Sequence, residues 1–142
     1  MISEIDKGKF YLGTVFDLPI ALDAGWSTLI GMANDIGEYV DLEGFLGEDN
    51  YNRIHWCPID ERCTNAGILN ELDKALHIIS MSLNPVFVFC VAGKSRSPAT
   101  AVAYMCTNRG MTLWQAYLHV FQRRSEMAIS PFVSEVLVNQ FA

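Results

Sequence analysis

Apolar residues in this chain follow two patterns, a short continuous run and a recurrence every three to four positions. The run Val86–Cys90 is β-branched and aromatic almost throughout, which predicts a buried strand. From Asn65 onward the helical spacing of apolar residues predicts an amphipathic helix, with its apolar face formed by Ile68, Leu69, Leu72, Leu76 and Ile79. The pair Asn84-Pro85 is expected to end that helix and to lead into the strand.

Shorter elements are predicted on both sides of this pair. Upstream, three strands are predicted over residues 9–14, 28–30 and 51–56. Asp17 is expected to cap a short helix through Leu22, while residues 34–50 predict a loop or a short helix and residues 58–64 a polar turn. Downstream, three helices are predicted, one opening at Ser97-Pro98 and ending near Gly110, one starting at Thr112 and one at Ser130-Pro131.

This order of elements predicts the fold class. Strands and helices alternate early and helices dominate late, which favours an α/β domain with a small, mostly parallel central sheet flanked by helices. A length of 142 residues suits one domain spanning residues 1–142 with its own core.

The residues after the predicted strand carry the candidate chemistry. Cys90 and Arg96 lie six positions apart, and Gly93 between them permits a turn with positive φ. A loop that closes onto a helix N-terminus directs backbone N–H groups inward and forms an anion site. The spacing therefore places a thiol and a guanidinium at the edges of one anion site, where the thiolate would be a nucleophile for phosphorus.

This arrangement resembles the signature of the cysteine-based protein tyrosine phosphatases. The Ser-Arg-Ser ending at residues 95–97 and the helix after it look most like the dual-specificity branch. Three other segments resemble the family's opening strand, its acid-bearing segment and the helix pair after the loop, namely Ile5–Gly13, Pro58–Glu61 and Arg109–Arg124. The resemblance implies a protein tyrosine phosphatase-like fold that hydrolyses phosphotyrosine and phosphoserine/threonine on proteins through a phosphocysteine intermediate.

Each loop residue then has an expected role. Cys90 is the predicted nucleophile, and Arg96 is predicted to grip two phosphate oxygens with its planar fork. The loop amides would line the phosphate site, and they belong to Val91, Ala92, Gly93, Lys94, Ser95 and Arg96. Ser97 either caps the following helix or hydrogen-bonds the Cys90 thiolate, which is the role the resemblance implies.

The reaction also needs a proton donor for the leaving oxygen. The resemblance places this acid in Pro58–Glu61, but the register is open. The family's acid often stands three positions after a Pro, and this spacing from Pro58 favours Glu61. The distance from the predicted helix start at Asn65 favours Asp60 instead. We take Asp60 as the predicted donor, which would next act as the base that activates water.

The chain departs from the family pattern at two places. Phe89 stands where the family has His before the catalytic Cys, and Phe132 stands where relatives often carry Asn after the Pro. Because the His helps hold the loop in relatives, the first departure predicts a working but slower enzyme.

The net charge and the apolar runs of the chain limit the partners and the location that can be expected. The formal net charge of −6 argues against nucleic acid, whose phosphates attract basic faces. No apolar run is long enough to cross a bilayer and the N-terminus lacks an apolar signal segment, so a cytoplasmic, reducing location is predicted and the oligomeric state is left open. The pair Arg123-Arg124 is predicted to be a solvated helix end.

The cysteines and histidines do not predict a metal site. Cys57, Cys63, Cys90 and Cys106 lack Cys-x-x-Cys spacing, and His55, His77 and His119 share no motif. No metal or organic cofactor is therefore predicted. Cys106 is expected in the core, and Cys57 and Cys63 are expected to be free thiols near the surface.

Other interpretations of the loop remain. Gly93-Lys94-Ser95 resembles part of a nucleotide-binding phosphate loop, but the Gly that this motif needs five residues earlier is Val88. Low-molecular-weight phosphatases, arsenate reductases and sulfurtransferases are other classes with a Cys loop, and in the first two it lies near the N-terminus. Lys94 resembles a residue of phosphoinositide phosphatases, so a lipid headgroup is the runner-up substrate. A non-catalytic phosphoprotein-binding module on the same scaffold is the remaining alternative.

Overall fold

Five strands form one sheet in the computed structural model, which describes residues 1–83 and 85–142. They are β1 (Ser3–Asp6), β2 (Phe10–Thr14), β3 (Thr28–Ala33), β4 (Ile54–Ile59) and β5 (Val86–Cys90). Their spatial order is β1-β2-β5-β3-β4, with β1 antiparallel at one edge and the other four parallel. The predicted fold class, an α/β protein with a mostly parallel sheet, is confirmed.

Seven α-helices surround the sheet in the described part of the chain. They are α1 (Leu18–Asp23), α2 (Leu42–Leu46), α3 (Glu48–Tyr51), α4 (Asn65–Met81), α5 (Arg96–Arg109), α6 (Leu113–Arg123) and α7 (Pro131–Phe141). Two 3₁₀ turns cover Val15–Asp17 and Ile36–Glu38. No helix among residues 1–83 and 85–142 is long and apolar enough to span a membrane.

The later helices confirm the sequence signals. Helix α4 begins at Asn65 as predicted, because the Thr64 hydroxyl accepts from the Gly67 amide at 3.1 Å. Thr112 and Ser130 cap α6 and α7 in the same way, and Gly110 ends α5 in the left-handed conformation. Of the predicted pair that ends α4, Asn84 lies outside the described residues.

Three local predictions need correction, and one strand was not predicted. The Asp17 side chain does not cap α1; it accepts from the Thr14 amide and hydroxyl and so closes the 3₁₀ turn before that helix. Helix α5 starts at Arg96, so Ser97 is inside its first turn and is not the N-cap. Strand β4 starts at Ile54 because the residues before it complete α3. Strand β1 was not predicted, because its four residues are too few and too polar to show a period.

Strand β5 lies at the centre of the sheet and separates two apolar clusters. Val86 and Val88 pack into one cluster with α4, α5 and α7, while Phe87 and Phe89 pack into the other. All five residues of β5 are buried. The carboxyl ends of the parallel strands lie on the same side of the sheet. Cys90, the last residue of β5, therefore lies where parallel α/β proteins bind ligands.

Helix α5 is tied to the edge strand by a buried carboxylate. Asp6 in β1 accepts from the Tyr104 hydroxyl at 2.7 Å and from the Arg109 guanidinium at 2.6 and 3.0 Å. Burial opposes ionisation, but the hydrogen bonds from Arg109 and Tyr104 outweigh it and lower the pKa of Asp6 below its ordinary value. These contacts fix the far end of the helix whose N-terminus carries the candidate site.

Candidate active site

The loop between β5 and α5 turns at Gly93. Gly93 has a φ of 66°, so the predicted positive φ is confirmed. A Cβ at this position would lie 3.0 Å from the Gly13 carbonyl oxygen and would also meet the Arg124 guanidinium. The close approach of the loop to β2 and to Arg124 thus requires glycine.

The amide groups of this loop are available to a ligand. Among the described residues, none of the amides of residues 91–96 donates to a backbone or side-chain acceptor. Buried or converging N–H groups without acceptors are costly unless water or a ligand satisfies them. Together with the start of α5 they form an arrangement that can hold an oxyanion.

Cys90 lies at the base of this loop. The residue is only 2% exposed, and its Sγ lies 3.2 Å from the Ser97 hydroxyl oxygen. Ser97 is fully buried, and its hydroxyl oxygen also lies 3.5 Å from the Gly13 carbonyl oxygen. A hydroxyl has a single proton, so Ser97 can donate either to the sulfur or to that carbonyl. Of the two roles expected for Ser97, the structure has the contact with the thiol and not the helix cap.

The Arg96 side chain is oriented by one of its three nitrogens. Nη1 donates to Asp35 Oδ1 at 3.0 Å, and also to Asn34 at 3.1 Å and the Ile59 carbonyl at 3.4 Å. No other atom of this guanidinium donates to a residue in ranges 1–83 or 85–142. Nε and Nη2, which point to the same side of the fork, thus remain available for a bidentate oxyanion contact. The sequence did not indicate Asn34 or Asp35, because nothing in a polar loop shows which residue it will face.

The two acid candidates lie in the turn after β4, and Asp60 is within electrostatic range of the Arg96 guanidinium. Asp60 Oδ1 accepts from the Arg62 amide at 2.9 Å and pairs with the Arg62 side chain at 3.4 Å. The Arg62 amide, and then the charges of Arg62 and Arg96, lower the pKa of Asp60 against the opposing effect of desolvation. Glu61 Oε1 is buried without a hydrogen-bond partner among the described residues.

A second arginine supports the loop from below. Arg124 is 2% exposed; its Nε donates to the Gly93 carbonyl at 2.6 Å, and its Nη1 to Met1 O at 2.7 Å and Ser3 Oγ at 2.9 Å. The prediction of a solvated helix end is therefore wrong for Arg124, although Arg123 is exposed. The sequence does not show which arginine of the pair is buried, because only tertiary contacts distinguish Arg124 from Arg123.

The segment between α6 and α7 completes this support. The Ala128 amide donates to the Lys94 carbonyl at 2.7 Å, and the Ser130 amide donates to Ser95 Oγ at 2.9 Å. The loop is thus held on this side by backbone amides, although Phe132 stands at the position where the resemblance implies Asn. The Lys94 side chain itself is exposed.

Phe89 and the other cysteines lie away from the loop surface. Phe89 is fully buried and packs edge-on against Trp56, with ring centroids 5.9 Å apart. Cys57 is in the core, contrary to the predicted surface position, and burial raises its pKa to about 11. Cys63 is exposed as expected, and Cys106 packs against the core.

Comparisons with known proteins identify the family of this chain. Residues 28–140 match the family model described as dual specificity phosphatase, catalytic domain. The chain is 48% identical over 46 residues to protein-tyrosine-phosphatase IBR5 of Arabidopsis thaliana, covering 32% of this chain and 18% of that protein. The match thus spans less than a fifth of the curated relative.

Solved structures share the fold at low sequence identity. The Cydia pomonella PTP-2 phosphatase superposes with a TM-score of 0.77 at 16% identity, covering 98% of this chain and 89% of that one. Human DUSP28 superposes with a TM-score of 0.74 at 17% identity, covering 99% and 92%. At these identities the likeness establishes the fold.

Proposed function

Because the chain belongs to the family of dual-specificity phosphatase catalytic domains, we propose that it hydrolyses phosphate monoesters on proteins through a phosphocysteine intermediate. The substrates would be phosphotyrosine and phosphoserine or phosphothreonine, with residues 1–142 acting as one catalytic domain. The observation that carries this proposal is the Cys90 thiol at the base of a loop whose amides lack protein acceptors, with two nitrogens of Arg96 uncommitted.

The first step transfers the phosphoryl group to sulfur. The amides of Val91 to Arg96 and the Nε and Nη2 groups of Arg96 would bind the non-bridging oxygens. The Cys90 thiolate attacks phosphorus, so that an S–P bond forms as the bond to the ester oxygen breaks. The leaving oxygen takes a proton from Asp60, and the charge that accumulates on the phosphoryl oxygens is stabilised by the amides and by Arg96.

The second step returns the enzyme to its starting state. The Asp60 carboxylate accepts a proton from water, whose oxygen attacks phosphorus and displaces the sulfur. The departing thiolate is 3.2 Å from the Ser97 hydroxyl, which can donate a hydrogen bond to it. Inorganic phosphate and the Cys90 thiolate are the products, and no metal or organic cofactor takes part in this scheme.

The choice of Asp60 as the acid is supported by its position. The carbonyl of the preceding residue, Ile59, accepts from Arg96, which brings the Asp60 carboxylate into the electrostatic range of that guanidinium. The lowered pKa of Asp60 describes the site without substrate. A bound phosphate adds negative charge beside the carboxylate and raises its pKa, so substrate binding would itself promote the protonated donor.

Paired variants test the acid assignment. Asp60→Asn is expected to lower kcat about 100-fold for a phosphoserine peptide, because its alkoxide must be protonated as it leaves. The loss should be smaller for p-nitrophenyl phosphate, whose phenolate leaves readily without a proton. Glu61→Gln keeps the size of the side chain and should change both rates by less than about three-fold. The reverse order of effects would transfer the role to Glu61.

Turnover assays test the function itself. Reduced protein is expected to hydrolyse p-nitrophenyl phosphate and phosphotyrosine peptides, with vanadate competing because it occupies the same oxyanion site. The substitution at Phe89 predicts a low kcat rather than none. Phosphopeptide binding without any turnover would instead identify a non-catalytic binding module, and a preference for phosphoinositides over peptides would identify the lipid alternative.

A further inference from the structure

A cavity of about 720 Å³ lies at the ends of β3 and β4. Its lining includes Asn34, Asp41, Glu43, Tyr51, Trp56 and Pro58. Asn34 also accepts a hydrogen bond from Arg96, so the cavity and the proposed phosphate site share a wall. Residues close to the phosphorylated residue of a bound substrate would therefore lie near this cavity.

The cavity belongs to the segment that carries the negative charge of the chain. Residues 34–51 contain six Asp and Glu and no Lys or Arg, while the other 124 residues contain ten acidic and ten basic residues. The entire net charge of −6 thus arises from this segment. Asp35 is paired with Arg96, but Asp41 and Glu43 are exposed and line the cavity.

The remaining walls of the cavity suit a long side chain with a cationic end. The rings of Tyr51 and Trp56 lie with centroids 6.2 Å apart, and both contribute to the lining. Aromatic faces attract Lys and especially Arg, and their apolar area covers the methylene stem of these side chains. Carboxylates beside such rings then complement the charged head.

We propose that this cavity selects phosphopeptides with a Lys or Arg within a few residues of the phosphorylated residue. This specificity rests on the proposed phosphatase activity and names its substrate class. The same carboxylates disfavour a headgroup with several phosphates, because additional negative charge would face Asp41 and Glu43 without compensation. The cavity therefore favours a basic peptide over the phosphoinositide that Lys94 suggested.

Matched phosphotyrosine peptides test the proposal. Three peptides of equal length would carry Arg, Ala or Glu at the same positions, scanned from three residues before to three residues after the phosphotyrosine. We expect kcat/KM to decrease in the order Arg, Ala, Glu, with a ratio of about five to ten between the Arg and Glu peptides at the best position. Raising the salt concentration should reduce this ratio, because the charges are exposed.

Two double variants distinguish the effect of the carboxylates that line the cavity from the effect of the segment's overall negative charge. Asp41→Asn with Glu43→Gln should bring the Arg-to-Glu ratio close to one, and Asn at 41 preserves the N-cap of α2. Glu48→Gln with Asp49→Asn removes the same charge from the same segment outside the lining and should retain the ratio. Equal loss in both variants, a Glu peptide as good as the Arg peptide, or faster hydrolysis of a soluble phosphoinositide would overturn the proposal.

Binding provides a readout that does not depend on catalysis. The same peptides, fluorescently labelled, would be titrated against the Cys90→Ser protein and followed by anisotropy. A preference for Arg in binding with no turnover by the unsubstituted chain would support the cavity and refute the phosphatase proposal. Turnover without any preference in rate or binding would support the phosphatase proposal and refute the proposed selectivity of the cavity.

Discussion

Replacement of Cys90 by Ser is expected to abolish turnover of p-nitrophenyl phosphate and of phosphopeptides, with a loss of roughly 10³-fold or more in kcat. The hydroxyl is a much weaker nucleophile than a thiolate, and it leaves poorly from phosphorus in the second step. The substitution is nearly isosteric, and the loop amides and Arg96 are unchanged. Phosphopeptide binding should therefore persist in Cys90→Ser while the rate is lost.

The matched control for this variant is Cys106→Ser. Cys106 lies in α5 against the core, and burial raises the pKa of its thiol, so it remains protonated at neutral pH. This control should keep the full rate. Mass spectrometry of acid-quenched reactions should detect a phosphoryl group on Cys90 in the unsubstituted protein. Turnover within ten-fold of normal in Cys90→Ser would exclude the sulfur nucleophile.

The strand, loop and helix around Cys90 were predictable because their signals are local. A continuous apolar run, a Gly at the turn and the Pro98 near the helix start are each properties of a few neighbouring residues. The structure confirms the strand at Val86–Cys90 and the positive φ of Gly93. The two-residue difference in the start of α5 matters, because Ser97 is then a helical residue that contacts the thiol and is not the cap.

The parts that could not be predicted depend on contacts between distant segments. Asn34 and Asp35 face Arg96 across more than sixty residues of sequence, and Arg124 reaches Gly93 and Met1. Neither contact has a periodicity or a spacing that the sequence exposes. Strand β1 is similar, since four residues acquire strand conformation by pairing with β2 and not by their own propensity.

Phe89, which stands where the family has His, is buried in the core. Its ring packs in the apolar cluster with Phe87 and Trp56, on the face of β5 opposite Val88. A histidine at this position would place a polar ring among aromatic side chains. In this chain the loop is held through Arg124 and the amides of Ala128 and Ser130. Support of the loop in this chain thus comes from the segment between α6 and α7.

Arg96→Lys is expected to lower kcat by about 10³-fold while the KM for phosphopeptides rises much less. Lysine keeps the charge but cannot present Nε and Nη2 as a planar fork, nor can it hold Asp35 with a third nitrogen at the same time. The fork matters most when charge spreads over the equatorial oxygens, so affinity for vanadate should fall more than affinity for phosphopeptide. Arg123→Lys is the matched control, because Arg123 is exposed and donates only to the His119 carbonyl among the described residues. If Arg96→Lys retains more than a tenth of kcat, the guanidinium serves to position the loop against Asp35 and does not stabilise the transition state.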